Sequence, residues 1–231
     1  PEVWPFVEHV PFHGSIPMQG GCTRRGITVH DEGEARECKR QHRWLGEYVN
    51  DHGVPYTLAY CSWCGRWLQM LPMTHAALSL KGGAIVGNGA SANKAGQRNI
   101  QICFIGFANG RDDKGRRITD TPMKNLWVLA EIMDAHKIPW RARKVWGPGA
   151  SRSRKAWLRS GIHGHQHSPA PYEDHTDPGD LDIHKLMREA RRQQPSQRIL
   201  LRRAGQKIRR GTGDAVLGEH AVHHPRRRHG A

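Results

Sequence analysis

The segment NIQICFIGF at residues 99–107 constrains the fold more than any other stretch of the chain. It is a short apolar run rich in Ile and Phe, and it stops against the polar loop NGRDDKGRR. A run of this length and composition indicates a buried strand. A buried strand needs paired neighbours and covering layers, so the rest of the chain must supply both.

The neighbours are legible. GITVH at 26–30 predicts a strand with Ile27 and Val29 on one face and Thr28 and His30 on the other. Residues 56–60 and 66–71 predict two more strands, joined by a turn containing CSWCG, and RARKVW at 141–146 predicts a further one. The spacing of Ala35, Cys38, Leu45, Tyr48 and Val49 predicts a helix over 33–51, with Gly53 as its stop. Another helix is expected from Thr121-Pro122 to His136, with Thr121 as N-cap and Met123, Leu126, Leu129, Ile132 and Met133 buried. A short helix over 154–159, a loop over 161–179 and a last helix capped by Asp180 and ending near Arg192 complete the pattern. Strands alternating with helices predict an α/β fold: one domain with a central mixed β-sheet flanked by helices. The domain is expected over residues 1–195, with an irregular leading segment, 1–25, that packs Trp4 and Phe6 onto it. Residues 196–231 are dominated by Arg, Gly and His and are expected to form a basic, flexible or surface-binding tail.

Charge and cysteines narrow the function classes. The net charge of +15 favours polyanionic partners, nucleic acid or an anionic cell wall, without choosing between them. No stretch approaches the roughly 20 apolar residues of a membrane span. The opening residues lack the basic-then-apolar pattern of a secretory signal, and the odd cysteine count predicts synthesis in a reducing cytoplasm. Five cysteines, an odd number, argue against a fully paired disulfide framework. Cys61 and Cys64 have the spacing of a metal knuckle, but no second such pair exists, so they read as a strand-turn pair, structural or idle. Cys103, inside the apolar run, reads as core.

The chemistry concentrates in GIHGHQHSPAPYEDHTDPGDLDI, residues 161–183. Four histidines and several acids share one Gly/Pro-rich stretch. A catalytic zinc site takes neutral imidazoles and a carboxylate and leaves one position for water. His165 and Asp177 stand twelve positions apart, close enough for a loop to bring both to one ion. His30, at the end of a buried strand, is the natural third ligand, because strand ends in α/β domains face the ligand crevice. His163, His165 and His167 share a face if the segment is extended, so any of them could ligate or support a ligand.

VH at a strand end, followed later by GHQH-x-P and H-x-DPG, resembles the zinc amidases of the peptidoglycan-recognition-protein and phage-lysozyme superfamily. The stretch GHQHSPAPYEDHTDPGDLDI is similar to the amidase domain of actinobacteriophage endolysins. The resemblance implies Zn2+ held by His30, His165 and Asp177. It implies His175, two residues before the last ligand, as a group near the scissile carbonyl, and Tyr56 in VPY as a proton-handling residue. It suggests His75 in THAA as a substrate-cleft residue. It further implies cleavage of the amide between N-acetylmuramic acid and L-alanine in the peptidoglycan of a Gram-positive, actinobacterial wall. An enzyme of that kind is made in the host cytoplasm and reaches the wall after release, where the basic tail would be wall-binding.

Simpler roles compete at each position. A strand-end histidine can be an ordinary buried one, Asp before Pro-Gly is a turn former, and a strand tyrosine is more often core than catalyst. Two other functions compete as well. A His-rich zinc nuclease would suit the charge, but a second CxxC or an HNH-like helix is missing, and no specific nucleic-acid partner is expected. A non-catalytic peptidoglycan-binding module is the third possibility. Binding-only members of the superfamily typically lack a metal ligand, whereas all three positions are filled here.

Overall fold

A computed structural model describes residues 8–9, 17–31, 56–80, 83–106, 116–147, 149–169, 175–179 and 181–194. All of them belong to the first of the two units into which the chain divides, Pro1–Gln194. The expected helix over 33–51, the contacts of Trp4 and Phe6, Asp180 and the tail over 196–231 lie outside the described residues.

Six strands form one sheet: β1 (Glu8–His9), β2 (Arg25–Asp31), β3 (Leu58–Cys61), β4 (Trp67–Gln69), β5 (Arg98–Ile105) and β6 (Gly161–Gly164). Their order is β1-β4-β3-β5-β2-β6. Among the described residues, only β3 and β4, joined by the CSWCG turn, run antiparallel; every other pair is parallel, so the sheet is mixed as expected. The apolar run supplies β5, flanked by β2 and β3 near the middle of the sheet, where both of its edges are paired.

Alternation along these strands makes two unlike faces. One carries Ile27, Val29, Leu58, Tyr60, Ile100, Ile102 and Phe104, each at most 1% exposed. Tyr60 packs its ring against Trp67 and Phe104, with centroids 4.5 and 5.4 Å away. The segment leading into helix α1 (Trp127–Ala135) covers this aromatic group: Tyr60 donates to the Lys124 carbonyl and Trp67 to the Asn125 carbonyl. The other face is mixed. Thr28, His30, Asn99 and Gln101 form a buried polar strip, beside an apolar patch of Ala59, Cys61, Leu68, Met70, Cys103 and Ile105. Cys61 and Cys103 therefore serve as core, and Cys64 packs partly buried against the same patch. The loop before β5 lies over the polar strip. Asn99 donates to the carbonyls of Ala92 and Asn93, and Leu80, Ile85, Val86, Ala90, Ala92 and Ala95 cluster with Trp157 of the short helix α2 (Arg154–Trp157).

Four expectations are corrected. The helix after Thr121 begins later, at Trp127. The Thr121 hydroxyl donates to the carbonyls of Ser62 and Ile118 instead of capping a helix. Met123 and Asn125 then take φ of 45° and 57°, which interrupts any helix. RARKVW is not a strand; it touches the sheet through one bridge, Ala142 to Ile162, and leaves Val145 52% exposed. The stretch from 161 does not open as a loop. GIHG is β6, wholly buried, and a 3-10 turn over His165–His167 follows it. Its glycines hide a strand from any propensity argument, yet both are required: a Cβ on Gly161 would meet the Arg141 carbonyl at 2.6 Å, and one on Gly164 would meet Pro178 and Trp146 at 2.8 Å. The last helix, residues 183–194, is capped by the Asp182 carboxylate, which accepts from the Lys185 N–H at 2.8 Å.

Candidate metal centre

The C-terminal end of β2, the turn after β6 and the DPG loop meet at one point. There Nδ1 of His30 lies 3.1 Å from Nδ1 of His165 and 3.2 Å from the Asp177 carboxylate. Nδ1 of His165 stands 3.0 Å from the other Asp177 oxygen. His30 is 1% exposed, His165 4% and Asp177 16%. Donors bound at about 2.0–2.1 Å to a tetrahedral ion sit roughly 3.3 Å from one another. These three residues form a group able to hold a metal ion. The spacing and the N,N,O donor set fit zinc.

His30 and the loop that carries Asp177 are each oriented by a neighbour. Gln101 donates its amide N–H groups to the Ala77 carbonyl and the Asn93 side chain, at 2.9 and 2.8 Å. Its oxygen must then face His30 and accept from Nε2–H at 3.1 Å. That contact fixes the tautomer and leaves a lone pair on Nδ1, pointing at the site. Gln166 clamps the DPG loop: its N–H donates to the Asp177 carbonyl at 2.8 Å and its side chain to the Gly179 carbonyl at 2.8 Å. Burial lowers the pKa of His30, against the pull of Asp177. Burial works to raise Asp177, but its interactions with the His165 and His30 imidazoles outweigh it and hold the carboxyl well below its usual range.

The three histidines of the GIHGHQH stretch separate cleanly. Only His165 enters the site. The 3-10 turn ends the extended geometry that would have aligned them. His163 donates through Nε2 to the Arg159 carbonyl at 2.9 Å. His167 donates through Nε2 to the Val145 carbonyl at 2.8 Å and accepts the Gly164 N–H on Nδ1 at 2.9 Å. Burial, the largest cause, lowers both of their pKa values.

His175 stacks on His165 with ring centroids 4.6 Å apart, its Nδ1 3.6 Å from Asp177, and its side chain is 52% exposed. Arg152 holds the His175 carbonyl at 2.7 Å. The Tyr56 ring centroid lies 5.0 Å from that of His30. His75 stands apart from this arrangement in its polar contacts, which are local: the Thr74 hydroxyl at 3.2 Å and a backbone bridge to Pro17. Sequence reasoning missed Gln101 and Gln166. For Gln101 a signal existed, because Asn99 and Gln101 recur at period two within an otherwise apolar strand.

No family model matches the chain, and no curated protein matches it. Solved structures similar to it include a selenomethionine derivative of AmpD, 13% identical, TM-score 0.49, covering 80% of this chain and 94% of that one. The hydrolase AmiA of Staphylococcus aureus in complex with its ligand is 13% identical, TM-score 0.48, covering 79% and 80%. The N-acetylmuramoyl-L-alanine amidase LysC from Clostridium intestinale is 12% identical, TM-score 0.45, covering 80% and 97%.

Proposed function

We propose that the chain is a zinc-dependent N-acetylmuramoyl-L-alanine amidase of the endolysin type. The observation that carries this reading is the convergence of two imidazole Nδ1 atoms and one carboxylate within 3.0–3.2 Å. His30, His165 and Asp177 would hold the ion. When bound, zinc supplies an acidified water and polarises the scissile carbonyl. The chain's own groups do the rest. Gln101 and Gln166 keep the ligand set in place before substrate arrives, which lowers the reorganisation needed at the transition state. His175, half exposed and stacked on His165, would donate to the developing oxyanion or pass a proton to the leaving L-alanine nitrogen. Tyr56, beside His30, is the second proton-handling group. The substrate on this reading is the peptidoglycan of a Gram-positive, actinobacterial host, reached after release from the cytoplasm, with the basic residues over 196–231 attracted to the wall.

Purified protein added to cell walls should clear turbidity in zinc-replete buffer, stop on chelation and resume when zinc is restored. New L-alanine amino termini should appear without new reducing sugar ends. Flat turbidity in zinc-replete buffer would overturn the proposal, and release of DNA fragments in its place would favour a nuclease.

A further inference from the structure

A cleft of about 320 Å3 lies along the outer edge of β6, between that strand, residues 141–145 and 149–151, and α2. Arg141, Arg143, Lys144 and Arg159 line it, and His163 contributes to its wall. Arg141 is partly engaged, donating to the Ser160 carbonyl at 2.6 Å. Among the described residues, no carboxylate pairs with any of the four cations. Burial first, and then the nearby Arg159, hold the Arg143 guanidinium below its ordinary pKa. Like charges collected in a concave site repel one another, and an entering anion relieves that repulsion.

A ligand matched to four cations carries more than one negative charge, spread over several oxygens. A carboxylate has one charge and two oxygens, and a phosphodiester has one charge. A terminal phosphate carries about −1.5 to −2 at neutral pH. Arg and Lys suit it as donors. We infer that this cleft binds a terminal phosphate group, as free phosphate or as a phosphate monoester. The site is separate from the His30–His165–Asp177 group, and the inference does not depend on the hydrolase reading.

The test is calorimetric titration of the full chain at fixed ionic strength, with chloride as the balancing anion. Inorganic phosphate and glycerol 3-phosphate distinguish the two sources; acetate and a glycerol-phosphate diester polymer serve as contrasts. Saturable binding of phosphate or of the monoester is expected, whichever is tighter naming the source. Combining Arg143→Gln with Arg159→Gln should weaken it about a hundredfold, two charge-assisted contacts at about tenfold each. Circular dichroism and thermal unfolding of the double variant, with both positions at the cleft surface, should match the parent. Loss of binding together with loss of fold would be resolved by Lys144→Gln, expected to weaken phosphate about tenfold on its own. Absence of saturation, equal affinity in parent and variants, or tighter binding of acetate or the diester polymer would each overturn the inference.

Discussion

The two faces of the sheet use the same strands for opposite ends. On one, Ile27, Val29, Leu58, Ile100, Ile102 and Phe104 are interchangeable in kind: each removes apolar area from water, and none holds a polar contact. On the other, Thr28, His30, Asn99 and Gln101 are specific in kind. Thr28 donates to Asn99 at 2.8 Å, Gln101 to Asn93, and His30 to Gln101, so that each side chain has a stated partner. The apolar face is where folding free energy is gathered. The polar strip contributes little net stability, since its hydrogen bonds replace bonds to water, but it fixes the direction in which one imidazole points.

That division predicts which substitutions should separate stability from activity. The largest effect is expected from Asp177→Ala, which should cut wall clearing by about three orders of magnitude and abolish zinc retention while the chain stays folded. Retained turnover would mean that a different third ligand operates. Phe104→Ala should do the reverse. It should cost about 3–5 kcal/mol in urea unfolding and leave clearing per folded molecule unchanged. Equal losses in both assays would erase the distinction between the faces. Gln101→Leu sits between them. It should weaken zinc affinity about 10- to 100-fold in competition with a chelator, with a smaller stability loss from the stranded Ala77 and Asn93 partners; unchanged zinc affinity would show that Gln101 does not orient His30.

The smallest effect is a pH dependence confined to stability. Burial, then Arg98 and Arg25, lower the pKa of His136, at the end of α1, to about 4. The unfolded chain takes up that proton first, near its ordinary value of about 6.5. Stability from this group is therefore complete above about 6.5 and declines as pH falls toward about 4. His136→Asn should flatten the urea midpoint across that window, and an unaltered slope would assign the dependence to another group.

How much of this was legible depended on whether a residue's role came from its own pattern or from its neighbours. β2 was legible from a two-residue period and β5 from a short apolar run, signals that need no outside information. That a histidine of GIHGHQH and Asp177 could share an ion was legible from their spacing, but the choice of His165 over His163 and His167 came from the family resemblance alone. β6 was not, because its glycines are chosen by contacts with Arg141, Pro178 and Trp146, which lie elsewhere in the chain. The start of α1 was hidden for a related reason. Ser62, across the sheet turn, accepts from both the Thr121 hydroxyl and the Met123 N–H and holds the chain out of helical geometry. Gln101 stood in plain view within an apolar run, where its polarity was the informative feature.

The alignment of β2 with β5, Thr28 opposite Gln101 and His30 opposite Cys103, has a consequence for assembly of the sheet. Sliding β5 by one position would turn Asn99 and Gln101 into the hydrocarbon layer and set Ile100 and Ile102 beneath the imidazole. Two stranded amides at about 1–3 kcal/mol each make that misalignment a poor competitor. The side chains that aim His30 thus also proofread the pairing of the strand that carries it.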